Sequence, residues 1–280
     1  MLYRLLLALT LSLVASFNAS ANVTRNRVED FSVERGAHVD IKVSGGSINV
    51  KVGVEGKVHV ELQQTARTNS DKEADEWIAK LQAVVEKTPG GVRIAVPYHG
   101  SDTGWSWLVG RHQEVQVNVT LVVPSGINLD LNTSGGSINV DGQVQGDLHA
   151  DTSGGSIKIT GAVGKIDLDT SGGNISVDHV VKRVHADTSG GSIHIGYVDP
   201  GATDVDADTS GGNIRIGVDP SGRYDVYADT SGGDVSVKEL SFEALKTGPS
   251  HLEGKINGGG MKVRADTSGG NIEIYAAHPR

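Results

Sequence analysis

Asp151-Thr152-Ser153-Gly154-Gly155-Ser156-Ile157-Lys158-Ile159 recurs almost unchanged through the second half of the chain. Further copies open at Asp169, Asp187, Asp208, Asp229 and Asp266, a variant opens at Asn132, and a fainter copy is Val43-Ser44-Gly45-Gly46-Ser47-Ile48. Successive starts from Asn132 onward lie 19, 18, 18, 21, 21 and 37 residues apart. Self-similarity at a short, nearly fixed period is the mark of a repeat architecture.

Within one unit, Ile166, Leu168 and Thr170 alternate with Asp167, Asp169 and Ser171, and Ile175 and Val177 resume the apolar set beyond the glycines. Period-two alternation on both sides of Ser-Gly-Gly reads as two half-buried strands joined by a sharp bend that glycine permits. No helical pattern links the strands, which excludes a helix-crossed parallel sheet. The bend recurs at one phase only, which disfavours a run of hairpins. The simplest solution winds each 18–21 residues into one coil and stacks identical positions, an all-β solenoid with coils about 4.8 Å apart. The two longer spacings come from Val198-Asp199-Pro200-Gly201 and Val218-Asp219-Pro220-Ser221-Gly222, both turn sequences away from the bend.

The residues before the repeats are less regular. Phe31 to Val33, Val39 to Val43, Val58 to Leu62, Val92 to Val96 and Val115 to Val123 read as strands. Residues 70–87 read as the single amphipathic helix, with Ser70 and Glu73 as a capping box and Ala74, Trp77, Ile78, Leu81, Val84 and Val85 as one apolar stripe. Thr88-Pro89-Gly90-Gly91 reads as its stop, and the helix as a cap on one open end of the stack. Residues 98–111 form a polar loop carrying Trp105 and Trp107. The expected organisation is a signal peptide over 1–21, N-terminal strands over 22–126, and a repeat solenoid over 127–280 continuous with them.

The chain has 280 residues and a formal net charge of −9, which becomes −10 once Arg4, the sole charge in residues 1–21, is removed. An acidic mature chain has no electrostatic reason to bind nucleic acid. Arg4, the apolar run Leu5 to Val14 and Ala19-Ser20-Ala21 fit a cleaved secretory signal, so the expected location is periplasmic or secreted, with no membrane span after cleavage. Cysteine is absent, which removes thiol catalysis, thiolate metal sites and disulfides. Aromatic residues make up only 4 %, consistent with a thin core of stacked aliphatic side chains.

The repeated Thr-Ser-Gly-Gly-(Ser/Asn)-Ile units, the run Val117 to Leu129 with Pro124-Ser125-Gly126, and Gly254 to Arg264 with Asn257-Gly258-Gly259-Gly260 resemble the bacterial putative-adhesin domains of unknown function, relatives of the head-GIN type. The resemblance covers residues 30–276. It implies a right-handed β-helix-like fold outside the cytoplasm and supplies no catalytic residues.

Four features are candidates for chemistry. Asp151, Asp169, Asp187, Asp208 and Asp229 fall in one outward column, which suits either a calcium ladder or Asx-type turns; Asn132 at the same phase favours the turns. His149, Asp167, His185 and Asp206 share a phase two residues earlier, which suits either a transition-metal stack or plain charge alternation; the alternation is favoured. The column read as uniform lacks the contrast between two carboxylates that a glycosidase needs. Trp105 and Trp107 suit a glycan or partner contact, or cover on the stack end. The expected function is a non-catalytic binding or structural module of the bacterial envelope, with a polysaccharide or envelope protein as partner. A carbohydrate-active β-helix enzyme and an envelope-stress or regulatory accessory protein are the alternatives.

Overall fold

The structure, a computed structural model, describes residues 22–53, 56–97 and 115–279. Among them the chain forms two long sheets facing one another, of eleven and twelve strands. Each coil gives one strand to a front sheet, turns at the Thr-Ser-Gly-Gly corner, and gives the next strand to a back sheet. Lys165–Thr170 and Ile175–Val180 form one such coil. Two strands of the back sheet and three of the front sheet run antiparallel as closing strands, so nine parallel strands remain in each. Nine coils at about 4.8 Å make a stack of roughly 40 Å.

The alternation read from sequence is the alternation of burial. Ile166, Leu168, Ile175, Val177 and Val180 are all within 2 % of complete burial, whereas Asp167 is exposed. Each such side chain contributes about 1.5–3 kcal/mol by leaving water. The interior is aliphatic; Tyr224 is its largest fully buried side chain.

The repeated motif joins coils through three devices at the corner. Thr170 Oγ1 donates to the carbonyl of Gly155 in the preceding coil at 2.8 Å and accepts from the Gly173 amide at 3.3 Å. Thr133, Thr152, Thr188, Thr209, Thr230 and Thr267 donate in the same way at 2.7–2.9 Å. The residue after Gly-Gly accepts from the amide at its own position in the neighbouring coil. Ser156 Oγ takes Asn174 N–H at 3.1 Å, and Asn174 Oδ1 takes Ser192 N–H at 2.8 Å. That accounts for Ser and Asn alternating there, since each offers a short-armed oxygen. The second glycine is required by space: a Cβ on Gly173 would lie 1.9 Å from the Gly155 carbonyl oxygen.

The order of coils departs from the order of sequence at both ends. The coil of His38–Val43 and Ile48–Val52 lies between the strands Gly91–Val96 and Val115–Val123 on one side and the Asn132 coil on the other. At the far end Met261–Thr267 and Ile272–Ala276 lie between the Asp208 coil and the Asp229 coil. The 37-residue spacing before Asp266 is thereby explained. The intervening chain forms the hairpin Phe242–Thr247 and His251–Ile256, whose second strand closes the front sheet against Tyr224–Thr230.

The first half of the expected helix is present and the second half is not. Asp71–Lys80 is helical, with Ser70 Oγ accepting from Glu73 N–H at 3.3 Å. The chain then turns at Gln82, with φ +48°, and Val84–Thr88 is a strand pairing antiparallel with Gly91–Val96. Val84 and Val85 are β-branched and suit a strand, and the open edge of the front sheet supplies their ladder of hydrogen bonds. Thr88-Pro89-Gly90-Gly91 is therefore a hairpin turn rather than a helix stop. The helix lies against Val23–Ser32 and Lys57–Ala66, the antiparallel pair that closes the back sheet, and buries Ala74. Among the described residues no helix is long and apolar enough to cross a membrane.

Candidate functional site

The front sheet's outer face carries two adjacent columns of titratable side chains, set side by side because strand residues two apart share a face. The first runs Asn132, Asp151, Asp169, Asp187, Asp208, Asp266, Asp229. Asp266 thus sits in the interior of the column. Lys42 stands beyond Asn132, and His251 closes the other end, its Nδ1 3.0 Å from Asp229 Oδ2. Arg264 Nε donates to Asp266 Oδ2 at 2.6 Å.

The second column runs Arg93, Asp40, Asp130, His149, Asp167, His185, Asp206, Arg264, Tyr227. Carboxylates alternate with arginine or imidazole side chains at most steps. His149 Nδ1 is 3.9 Å from Asp167 Oδ2, and His185 Nδ1 is 3.4 Å from Asp206 Oδ2. The sequence identified His149, Asp167, His185 and Asp206. It did not identify Arg264 and Tyr227 as their continuation, because that depends on the inserted last coil.

The aspartates are not equivalent, which corrects the reading of a uniform column. Burial, with Asp206 and Asp266 adding like charge, pushes the Asp208 carboxyl up to about 6. Asp169 is also raised, by burial first and Asp167 second. Both stand in coils that carry an aspartate, not a histidine, two residues earlier. Around Asp187, Asp208, Asp266 and Asp229 the face is hollowed into an open groove of about 300 Å³, edged by Ser210, Ser231 and Ser268.

The Asx-turn role expected of these aspartates is filled by threonine. Gly155 and Gly173 donate their amides to Thr152 and Thr170. Asx turns occur instead at the Asp-Pro insertions, where Asp199 Oδ1 accepts from Gly201 N–H and Asp219 Oδ1 from Ser221 N–H, each at 2.8 Å.

A second groove, of about 410 Å³, lies on the back sheet near the helix end and is lined by Ser47, Asn49, Glu61, Gln63, Gln116, Asn118 and Thr120. Its outward amides were visible in the sequence only as the polar half of an alternating pattern. Trp105 and Trp107 lie outside the described residues.

Among solved structures, the chain is similar to a putative adhesin from Bacteroides fragilis NCTC 9343, at 14 % identity and TM-score 0.44, covering 89 % of this chain and 97 % of that one. A putative adhesin from Parabacteroides merdae ATCC 43184 is similar at 12 % identity and TM-score 0.43, covering 89 % and 96 %. A protein described as a putative lipid binding protein, from Parabacteroides distasonis ATCC 8503, is similar at 12 % identity and TM-score 0.30, with the same coverage. No curated protein matches the chain. The family described as Toastrack DUF4097 matches residues 39–275, which span the coil stack from its first inserted strand to its last, and the chain belongs to that family.

Proposed function

We propose that this chain is an extracytoplasmic, non-catalytic binding or structural module of the bacterial envelope, exported by residues 1–21 and presenting its flat faces to a polysaccharide or an envelope protein. One observation carries the reading: the repeated motif is consumed by joining coils. Thr170, Gly173 and Asn174, and their counterparts, are spent on hydrogen bonds and close approach between neighbours. What remains available is a set of rows of Asp, His, Arg and the Ser before Gly-Gly, repeated coil by coil and suited to a repetitive partner. The adhesin names of similar structures are compatible with that reading. Trp105 and Trp107, outside the described residues, are the proposed aromatic contact.

The test is equilibrium binding of the mature chain to isolated envelope fractions and a panel of purified glycans, with and without calcium. Saturable binding weakened by Trp105→Ala/Trp107→Ala is the expected result. Uniform failure to bind would remove the adhesion reading. Export is checked by the N-terminus of the protein recovered outside the cytoplasm, expected at Asn22.

One observation favours a second reading. Asp208 holds its proton to about pH 6 while facing Asp266, whose carboxylate is paired with Arg264. A raised acid beside a second carboxyl group is what a carbohydrate-active enzyme uses. Turnover of a glycan that Asp208→Asn abolishes, with binding retained, would establish this reading over the first.

A further inference from the structure

The corner bonds that join coils make no use of His149 or His185 on the front face. Two groups on that face are built alike. His149 lies with Asp167 and Asp169, and His185 lies with Asp206 and Asp208; in each, one ligand atom per residue falls within 4.8 Å of the others. In each the imidazole comes from one coil and both carboxylates from the next. The geometry points to two sites for a zinc-type transition-metal ion, each held by one imidazole nitrogen and two carboxylate oxygens, with a fourth position open to water or an incoming ligand.

Two features separate the His185 group from ordinary charge alternation; the His149 group repeats its arrangement with a longer approach, 3.9 Å from Nδ1 to Asp167 Oδ2. The first is distance. A tetrahedral ion with ligands at 2.0–2.2 Å holds its donor atoms about 3.4 Å apart. His185 Nδ1 and Asp206 Oδ2 are 3.4 Å apart, beyond a good N–H···O hydrogen bond and at the edge length of that tetrahedron. The second is unmet bonding. His185 Nδ1 and Asp206 Oδ1 are both shielded from solvent and have no hydrogen-bond partner. Shielded polar atoms are normally paired, and a cation between them would meet both needs. The ion pairs at the far end of the face differ: His251 with Asp229 at 3.0 Å and Arg264 with Asp266 at 2.6 Å are complete hydrogen bonds. They offer nothing to a metal.

The nitrogen ligand sets the class of ion. Imidazole suits zinc, copper, nickel and iron, whereas calcium takes oxygen ligands alone. The two sites lie two coils apart, about 10 Å.

The test uses the mature chain stripped with a chelator and then titrated calorimetrically with zinc chloride and, separately, calcium chloride. Two zinc ions per chain are expected. His149→Asn and His185→Asn should each remove one, and the double variant both, with melting in chelator unchanged because both side chains lie on the outer face. Asp167→Asn and Asp206→Asn give the same losses independently of the histidines. Cobalt(II) should show the visible bands of a four-coordinate ion, absent in the double variant. No zinc uptake, zinc uptake that the double histidine variant leaves intact, or calcium binding at the same sites and stoichiometry would each overturn the proposal.

Discussion

Thr170 reaches back one coil to hold the carbonyl of Gly155 while accepting from Gly173 in its own coil. One hydroxyl therefore closes the corner and ties it to its neighbour. Thr170→Val keeps the shape and removes both bonds at a buried position. It should cost about 1–3 kcal/mol, while Thr170→Ser, which keeps the hydroxyl, should cost less. Chemical denaturation of both variants checks the order.

The two glycines of the Asp169 corner should respond unequally to a methyl group. A Cβ on Gly172 would make contacts no closer than 3.6 Å, whereas on Gly173 it would lie 1.9 Å from backbone. Gly172→Ala should leave stability within about 1 kcal/mol, and Gly173→Ala should cost about 3 kcal/mol or more, since the clash is with backbone that cannot rotate away. Melting temperatures of the pair separate steric need from conformational need.

Asp208 sets a pH dependence whose sign is unusual for an aspartate. Its carboxyl is raised from 3.8 to about 6 in the folded chain. Between about pH 4 and 6 the folded state keeps a proton that the unfolded state has lost, so this group's contribution to stability falls as pH rises through that window. With a chelator present, Asp208→Asn should melt higher than the parent at pH 7. The difference should shrink on acidification and vanish below about pH 4.

Removing residues 258–280 should do more than shorten the stack. That segment holds the strands Met261–Thr267 and Ile272–Ala276, which lie inside it. Ile214 and Ile216 would lose Ile272 and Ile274 as neighbours, and the Asp229 coil would lose its parallel partner. Hydrogen exchange of the truncated chain should show lost protection across Tyr224–Thr230 and Val235–Lys238. Retained protection there would mean that the coil can re-pair directly with its sequence neighbour.

Much of this fold was legible because its signal is periodic. Ile166, Leu168, Ile175 and Val177 announce their faces two by two, and the glycines mark every corner. Three features were not legible, each for a physical reason. Val84 and Val85 satisfy a helical stripe and an edge strand equally, and only the free edge beside Gly91–Val96 decides. Stack order was hidden because near-identical repeats pair equally well with any neighbour; Asp266 carries the same local sequence as Asp229. The turn bond inside each corner was credited to Asp, a residue prone to turns, when Thr170, the next residue along, makes it by accepting from Gly173. For the candidate site, the shared phase of His149, Asp167, His185 and Asp206 showed the column. The inequality of Asp208 depended on burial and on Asp266 as a neighbour.

The place of the Met261–Ala276 coil has a mechanical consequence. A pull applied at Ala276 loads strands bonded on both sides, so two ladders must shear together before anything yields. An outermost coil would instead unzip one bond at a time. The stack is buckled rather than merely piled, and it resists being unravelled from that end.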